Sequence, residues 1–169
     1  MRHLFSSIRC LTLTNKCKEG SSCQKRILKL TLKNQKAAFF GLGEPNDAYA
    51  QYFIGESFLN PLTNPKETQF IANVTFEPGC RNNWHIHHAT TGGGQILLCT
   101  DGRGWCQLWD EEARELHPGD VVFIPAGVKH WHGAARDSWF SHVAFEAPGT
   151  DCSNEWLEAV SDEQYNALP

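Results

Sequence analysis

Histidines spaced two residues apart are the first candidates for chemistry in this sequence. Seven of its eight histidines lie between His85 and His142, and His85 and His87 form a His-x-His pair. On a β-strand this spacing points both imidazoles to the same face, where they can occupy neighbouring positions around one metal ion. Further ligands would come from neighbouring strands, and Gln95 and His130 are the candidates. The cluster therefore indicates a metal site or acid–base chemistry.

These candidates are predicted to lie on short β-strands. Apolar and polar residues alternate from Gln69 to Phe76, and Pro78-Gly79 ends that strand. Asp101-Gly102 is a tight-turn signal, so the strand that follows it is predicted to form a hairpin with the strand before it. Ser161-Asp-Glu-Gln164 is a capping box that predicts one short C-terminal helix. Short strands separated by Gly and Pro predict an all-β sandwich or barrel, with strands at 95–100, 104–109, 121–124, 129–133 and 139–145.

Two motifs in this region resemble the paired motifs of the cupin superfamily. The first runs from Gly79 through the His-x-His pair and Gln95 to Gly102, and the second runs from Gly119 to His130. The resemblance covers residues 68–147. Within the superfamily the chain is similar to small single-domain cupins, which include manganese-dependent hydroxynitrile lyases and cupins associated with carboxymuconolactone decarboxylases. The sequence segments that it shares with this group are Thr75-Phe-Glu-Pro-Gly79, Trp84-His85, Gly94-Gln95, Gly102-Arg-Gly-Trp105, His117-Pro-Gly-Asp120 and Lys129-His-Trp-His-Gly-Ala-Ala135.

The resemblance implies a cupin double-stranded β-helix, a jelly-roll barrel with a metal ion in its mouth. The implied ligands are His85, His87, Gln95 and His130. The implied cofactor is one divalent transition metal ion, with manganese favoured and iron, nickel, cobalt or zinc also suited to nitrogen and oxygen ligands. Gln95 stands where the common cupin motif has glutamate. All four ligands are then neutral, so the ion keeps its full double charge and is a stronger Lewis acid.

A glycine-rich insertion, residues 88–94, separates His87 from Gln95 and is longer than the spacing usual in cupins. We expect it to loop out, so that the strand register resumes at Gln95. The alternative is that the insertion displaces Gln95 and leaves a site of three histidines.

Two further histidines are candidates for proton transfer. His132 shares a strand face with His130, and His142 alternates with apolar residues on the next strand. In the lyase-like cupins the matching positions line the pocket and take part in proton transfer, so the resemblance implies that role here. The alternative is that both are buried, hydrogen-bonded strand residues. His88 and His117 are expected to be loop and turn residues without a role in the site.

The function that these residues and the resemblance favour is a metal-dependent lyase acting on a small oxygenated substrate, with cyanohydrin cleavage as the specific hypothesis. A metal-dependent dioxygenase, decarboxylase or isomerase is the alternative on the same scaffold. A non-catalytic cupin that binds small ligands is the alternative from another class. The expected partners are a small-molecule substrate and a second copy in a homodimer.

Charge is divided unevenly along the 169 residues, with a net charge of -4. Residues 1–36 hold nine basic residues and one acidic residue, whereas the remainder holds six basic and eighteen acidic residues. An acidic body argues against a nucleic-acid partner, which needs a basic face. No run approaches the about 20 apolar residues of a membrane span, so no membrane partner is expected. Arg81, the cation near the first motif, is expected at an exposed loop position.

The expected organisation has four parts. A basic extension over residues 1–40 is expected to be disordered or non-native, or a transit peptide if the source is a eukaryote. A lead-in segment over 41–67 precedes the barrel at 68–147, and a C-terminal segment with the short helix occupies 148–169. Seven cysteines without a secretory signal predict reduced thiols and a cytoplasmic location, or an organellar one if a transit peptide is present.

Overall fold

Two antiparallel β-sheets dominate residues 39–169, which are the residues described by this computed structural model. The sheets confirm the predicted all-β jelly roll. The expectations for the basic extension fall on residues 1–38 almost entirely and lie outside the described residues. Within 39–169, no helix is long and apolar enough to cross a membrane.

The first sheet has six strands and contributes one wall of the barrel. Ala144 is the cross-strand partner of both Ala72 and Leu97, so these three share a face. Gln95 and His142 lie two positions along their strands from this row and therefore face the same interior. In sheet order, the strands are β1 Glu44–Pro45, β3 Ser57–Pro61, β4 Ile71–Phe76, β13 Phe140–Glu146, β8 Gly94–Gly102 and β11 Val121–Pro125.

The second sheet has seven strands. They are β10 Arg114–Leu116, β9 Gly104–Leu108, β12 His130–Ala134, β5 Arg81–Asn82 and β2 Phe53–Ile54, with β6 His85–His88 beside β12 and β15 Ser153–Trp156 beside β6. A separate two-stranded ribbon joins β7 Thr91–Gly92 to β14 Gly149–Thr150. The helices are a 3-10 helix at Asp47–Tyr52 and the α-helix α1 at Asp162–Asn166.

The predicted hairpin between residues 95–100 and 104–109 is wrong. Strand β8 pairs with β13 and β11, whereas β9 pairs with β10 and β12 in the other sheet. The chain changes sheets at Gly102, which has a φ of 71° and whose added Cβ would lie 1.8 Å from the Trp139 carbonyl oxygen. Arg103 N–H donates to that same oxygen at 3.0 Å. The turn signal was correctly placed, but it marks a corner between sheets.

Two apolar clusters hold the sheets and the C-terminal segment in place. Strands of both sheets contribute to the larger cluster, which includes Phe76, Leu97 and Ile124. The smaller cluster packs Trp84 and Trp131 against residues of the C-terminal segment. Among the described cysteines, Cys80, Cys99 and Cys106 are buried free thiols and Cys152 is an exposed one.

The C-terminal helix begins with the predicted capping box at Ser161. Its Tyr165 hydroxyl donates to the Ala134 carbonyl at 2.6 Å. Arg81 was expected at an exposed position, and this is wrong: its side chain is buried and donates to the Val160 carbonyl at 3.1 and 3.2 Å. The guanidinium also lies 4.3 Å from the centre of the Tyr165 ring and pairs with Asp162. Arg81 thus anchors the C-terminal segment instead of facing solvent.

We expect Arg81→Met to lower the free energy of unfolding by about 2–3 kcal/mol, because the buried Val160 carbonyl would lose its donors. The contribution of the ion pair itself is small, since the Asp162 side chain is 84% exposed. Urea denaturation would measure the change. As a control, Arg114→Met removes an exposed arginine 3.4 Å from Asp120 and should leave stability nearly unchanged. Equal stability of both variants would contradict the anchoring role.

Candidate metal centre

Three buried imidazoles meet where β6 lies beside β12. His85 and His87 share one face of β6, as the His-x-His spacing predicted, and His130 on β12 is the direct cross-strand partner of His85. One ring nitrogen from each histidine lies within 4.8 Å of the others. The His85 and His130 ring centres are 4.1 Å apart. This spacing is compatible with three ligands of one ion.

Backbone carbonyls orient two of these rings. His85 Nδ1 lies 3.0 Å from the Asn83 carbonyl oxygen, and His130 Nδ1 lies 2.9 Å from that of Val128. A carbonyl only accepts, so each Nδ1 carries the hydrogen and each Nε2 keeps its lone pair. Such outer contacts are what fix the ring orientation of metal-binding histidines.

Gln95 joins the site from the opposite sheet. Its Oε1 lies 3.1 Å from His130 Nε2. Both atoms carry lone pairs, and two acceptors at this distance fit a shared cation. The residues present therefore fit a divalent ion held by three imidazoles and one amide oxygen, all of them neutral.

The glycine-rich insertion is what lets Gln95 reach the histidines. Gly92, Gly93 and Gly94 have φ values of 61°, 74° and 103°, a conformation that other residues rarely adopt. Gly94 also passes so close to β11 that an added Cβ would lie 2.2 Å from the Ile124 carbonyl oxygen. The insertion folds into the ribbon of β7 and β14, and the register resumes at Gln95, which pairs with Ile124 and Glu146.

Burial keeps the three imidazoles neutral. It lowers the pKa of His87 and of His130 to about 4, and it lowers the pKa of His85 well below 6.5. Neighbouring histidines lower the pKa of His85 further. Only a neutral imidazole can bind a metal ion, so these rings are ready to do so at neutral pH.

This burial predicts a pH-dependent stability for the metal-free protein. Between pH 6.5 and about 4 the histidines of the unfolded chain take up protons, whereas folded His87 and His130 stay neutral. The unfolded state then binds more protons, so the free energy of unfolding should fall as the pH is lowered through this window. The total loss should be on the order of a few kcal/mol.

Urea denaturation at a series of pH values would measure this slope. His142→Leu should make the fall shallower, because burial also lowers the pKa of His142, to about 3. Unfolding free energies that stay constant from pH 6.5 to 4 would contradict the prediction.

A cavity of about 360 Å³ opens onto the histidines. Its walls are largely apolar, with Phe53, Val74 and Phe76 among the side chains that line it. Trp156 of β15 also lines the cavity and stacks on His85, with ring centres 4.8 Å apart. The cavity therefore suits a small organic molecule with an apolar part and a polar group directed towards the imidazoles.

His132 and His142 both line this cavity, next to the three imidazoles. The ring of His132 is centred 5.4 Å from that of His85, and its Nδ1 lies 3.3 Å from His142 Nε2. Burial lowers the pKa of His142 to about 3 and the pKa of His132 well below 6.5. Both are therefore buried and hydrogen-bonded, as the alternative interpretation held, and they also face the cavity.

The two remaining histidines of the body lie outside the site. His88 points to the exposed side of β6 and pairs with Glu155 at 2.7 Å. His117 is exposed in its turn and lies 3.4 Å from Glu115.

The residues of the cavity wall that sequence reasoning missed include Asn82, Asn154 and Trp156. Asn82 lies three residues before His85 and reaches the site through the pairing of β5 with β12. Asn154 and Trp156 lie beyond the motifs and enter through β15, which pairs with β6. Nothing in the local pattern signalled that pairing, although a tryptophan in a segment with few apolar residues was a hint.

Comparisons with known proteins agree with this fold and site. The family model for the cupin domain matches residues 72–140. The chain is 41% identical over 118 residues to a protein from Granulicella tundricola named (R)-mandelonitrile lyase, an alignment that covers 69% of this chain and 87% of that protein. The crystal structure of a cupin-like protein from Thermotoga maritima is also similar, with 36% identity and a TM-score of 0.66. That match covers 76% of this chain and 95% of the other. With such identity over most of the length of both relatives, the chain belongs to the cupin family.

Proposed function

We propose that this protein is a divalent metal-dependent lyase that cleaves cyanohydrins into a carbonyl compound and hydrogen cyanide. The observation that carries the proposal is the convergence of three neutral imidazoles and the Gln95 amide oxygen beside a second pair of buried histidines. The similarity to a protein named (R)-mandelonitrile lyase supports the same reaction class.

The residues that would hold the ion are His85, His87, Gln95 and His130. When bound, a divalent ion with four neutral ligands supplies Lewis acidity to the oxygen of the substrate. Manganese is the ion we propose, since imidazole and amide ligands accept it and the resemblance to hydroxynitrile lyases favours it.

The other histidines would move the protons. Cleavage of a cyanohydrin takes a proton from its hydroxyl group, breaks the bond between the carbinol carbon and the nitrile carbon, and returns a proton to the departing cyanide. No oxidant is consumed. His132 and His142 are neutral imidazoles in contact, and each can release a proton from one ring nitrogen and take one up at the other.

The apolar wall supports a substrate with an organic side group. Phe53, Val74 and Phe76 offer an apolar surface on the inside of the cavity, and Trp156 adds an indole over His85. An aromatic or branched cyanohydrin could bury its side group there while its hydroxyl group faces the imidazoles.

Turnover under anaerobic conditions would test the proposed function. Purified protein with about one manganese ion per chain should release aldehyde and cyanide from mandelonitrile in the absence of oxygen. Protein from which a chelator has removed the metal should not. Oxygen uptake that depends on the substrate would indicate a dioxygenase instead. A binding protein would shift its melting temperature with ligands while all substrates stayed intact. The homodimer and the cytoplasmic location stay predictions.

A further inference from the structure

Among residues 39–169, the side chains that line the cavity include a single carboxylate, that of Glu146. Glu146 shares the inward face of β13 with His142, and it is the direct cross-strand partner of Gln95 on β8. One of its carboxylate oxygens lies 3.6 Å from His87 Nδ1, and 42% of the side chain is exposed. A negative charge therefore stands beside two of the four candidate ligands, on a part of the cavity wall that solvent reaches.

No arginine or lysine of the described residues lines the cavity beside this carboxylate. Arg81, for example, pairs with Asp162 at the C-terminal helix instead. Proteins recognise carboxylate and phosphate groups chiefly through such cations. The cavity therefore lacks the side chains that would hold an anionic group of a substrate. The cationic residues of 39–169 that lie outside its wall are Lys66, Arg81, Arg103, Arg114, Lys129 and Arg136.

The polar side chains of the wall that are neither histidine nor candidate ligand are mostly uncharged amides. They belong to Asn46, Gln69, Asn82 and Asn154. An amide can both donate to and accept from a neutral ligand. Together with the apolar part of the wall, these amides suit a ligand that has polar groups but no charge.

Repulsion from Glu146 would act in the same direction as this lack of cations. Two like charges a few ångströms apart repel each other strongly where solvent is partly excluded. The body of the protein adds to this repulsion, because residues 37–169 hold eighteen acidic and six basic residues. An anionic ligand would meet an unfavourable field at the cavity wall, whereas a neutral ligand of the same shape would not.

We propose that Glu146 is a specificity-determining residue that disfavours anionic ligands and so restricts the cavity to uncharged substrates. This role rests on the proposed function for the reaction itself, and it adds the substrate class. The substrates are uncharged cyanohydrins, and cyanohydrins that carry a carboxylate or a phosphate are disfavoured.

Benzamide and benzoate test the role of charge, because they have nearly the same shape and differ by one negative charge. We expect Glu146→Gln to bind benzoate about 10-fold more tightly than the unmodified protein does, while the affinity for benzamide changes by less than about twofold. Calorimetric titration of both proteins loaded with Mn²⁺ would measure the affinities, and elemental analysis would ensure equal metal content. A bound ion attracts benzoate in both proteins, so the comparison between them isolates the carboxylate.

Glu155→Gln is the matched control. It also removes one carboxylate, but Glu155 lies on β15 and pairs with His88 on the exposed side of β6. It should leave both affinities unchanged. An unchanged affinity for benzoate in Glu146→Gln would overturn the proposal, as would an equal gain in Glu155→Gln. Equal gains for benzamide and benzoate in Glu146→Gln would also overturn it, since they would assign Glu146 a steric role.

The outcomes for the two proposals can be told apart, because the binding test needs no turnover. Charge-dependent binding in a protein that does not cleave mandelonitrile would support the role of Glu146 and overturn the proposed function. Cleavage of mandelonitrile by a protein whose affinity for benzoate does not depend on Glu146 would do the reverse.

Discussion

His130→Ala should leave the protein without a bound divalent ion and without turnover. His130 is fully buried between the other candidate ligands. Its ring centre lies 4.1 Å from that of His85, and its Nε2 lies 3.1 Å from the Gln95 amide oxygen. Changes to the outer contacts of metal sites already cost about 10–100-fold in affinity, so loss of a direct ligand should cost at least about 100-fold. Elemental analysis and calorimetric titration with Mn²⁺ would measure the loss.

His88→Ala is the matched control for this prediction. His88 follows His87 directly in the chain but points to the exposed side of β6, where it pairs with Glu155. Its loss should leave metal content and turnover unchanged. Full metal occupancy in His130→Ala would show that the ligand set is wrong.

His142→Leu should separate metal binding from catalysis. We expect turnover to fall by about 10²–10⁴-fold, the usual contribution of acid–base groups, while metal content stays the same. The melting temperature should fall only slightly, because leucine removes the buried Nδ1, which has no partner among the described residues, but also leaves His132 Nδ1 without the contact that it makes with His142 Nε2 at 3.3 Å. The neighbouring rings of Phe76 and Phe140 also offer an apolar setting for it.

Steady-state kinetics and thermal unfolding on the same preparation would check both parts. His117→Leu, in the exposed turn, is the control for a lost imidazole outside the site. Turnover within a few fold of the unmodified protein would remove His142 from the proposed chemistry. Loss of metal in His142→Leu would assign it a role in binding the ion instead.

The features that sequence could predict are those with a local pattern. The alternation on strands places His85 and His87 on one face, and the Ser161 capping box marks the start of α1, because each depends on residues a few positions apart. The position of Gln95 was harder to predict from the sequence. It depends on three consecutive glycines with positive φ, which lead from the two-stranded ribbon into β8. Its place near a predicted strand start made Gln95 a candidate, and the resemblance to cupins implied it as a ligand.

The features that sequence could not predict depend on pairing between distant segments. The corner at Gly102 looks like a hairpin turn locally, and only the pairing of β9 with β12 distinguishes the two. Arg81 is buried because the carbonyl of Val160, 79 residues away, accepts from it. Asn82 meets His132 across 50 residues. Such contacts are set by the closure of the barrel and leave no periodic signal in the chain.

The candidate ligands come from both sheets, and this has a mechanical consequence. Gln95 stands on the first sheet, whereas the three imidazoles stand on the second. An ion bound by all four residues would link the two sheets. Because such an ion binds the folded state and not the separated sheets, it adds to the free energy that is needed to separate them. Local opening of the barrel at this site should therefore be less frequent when the ion is bound. Slower amide hydrogen exchange in β8 and β12 would report the change.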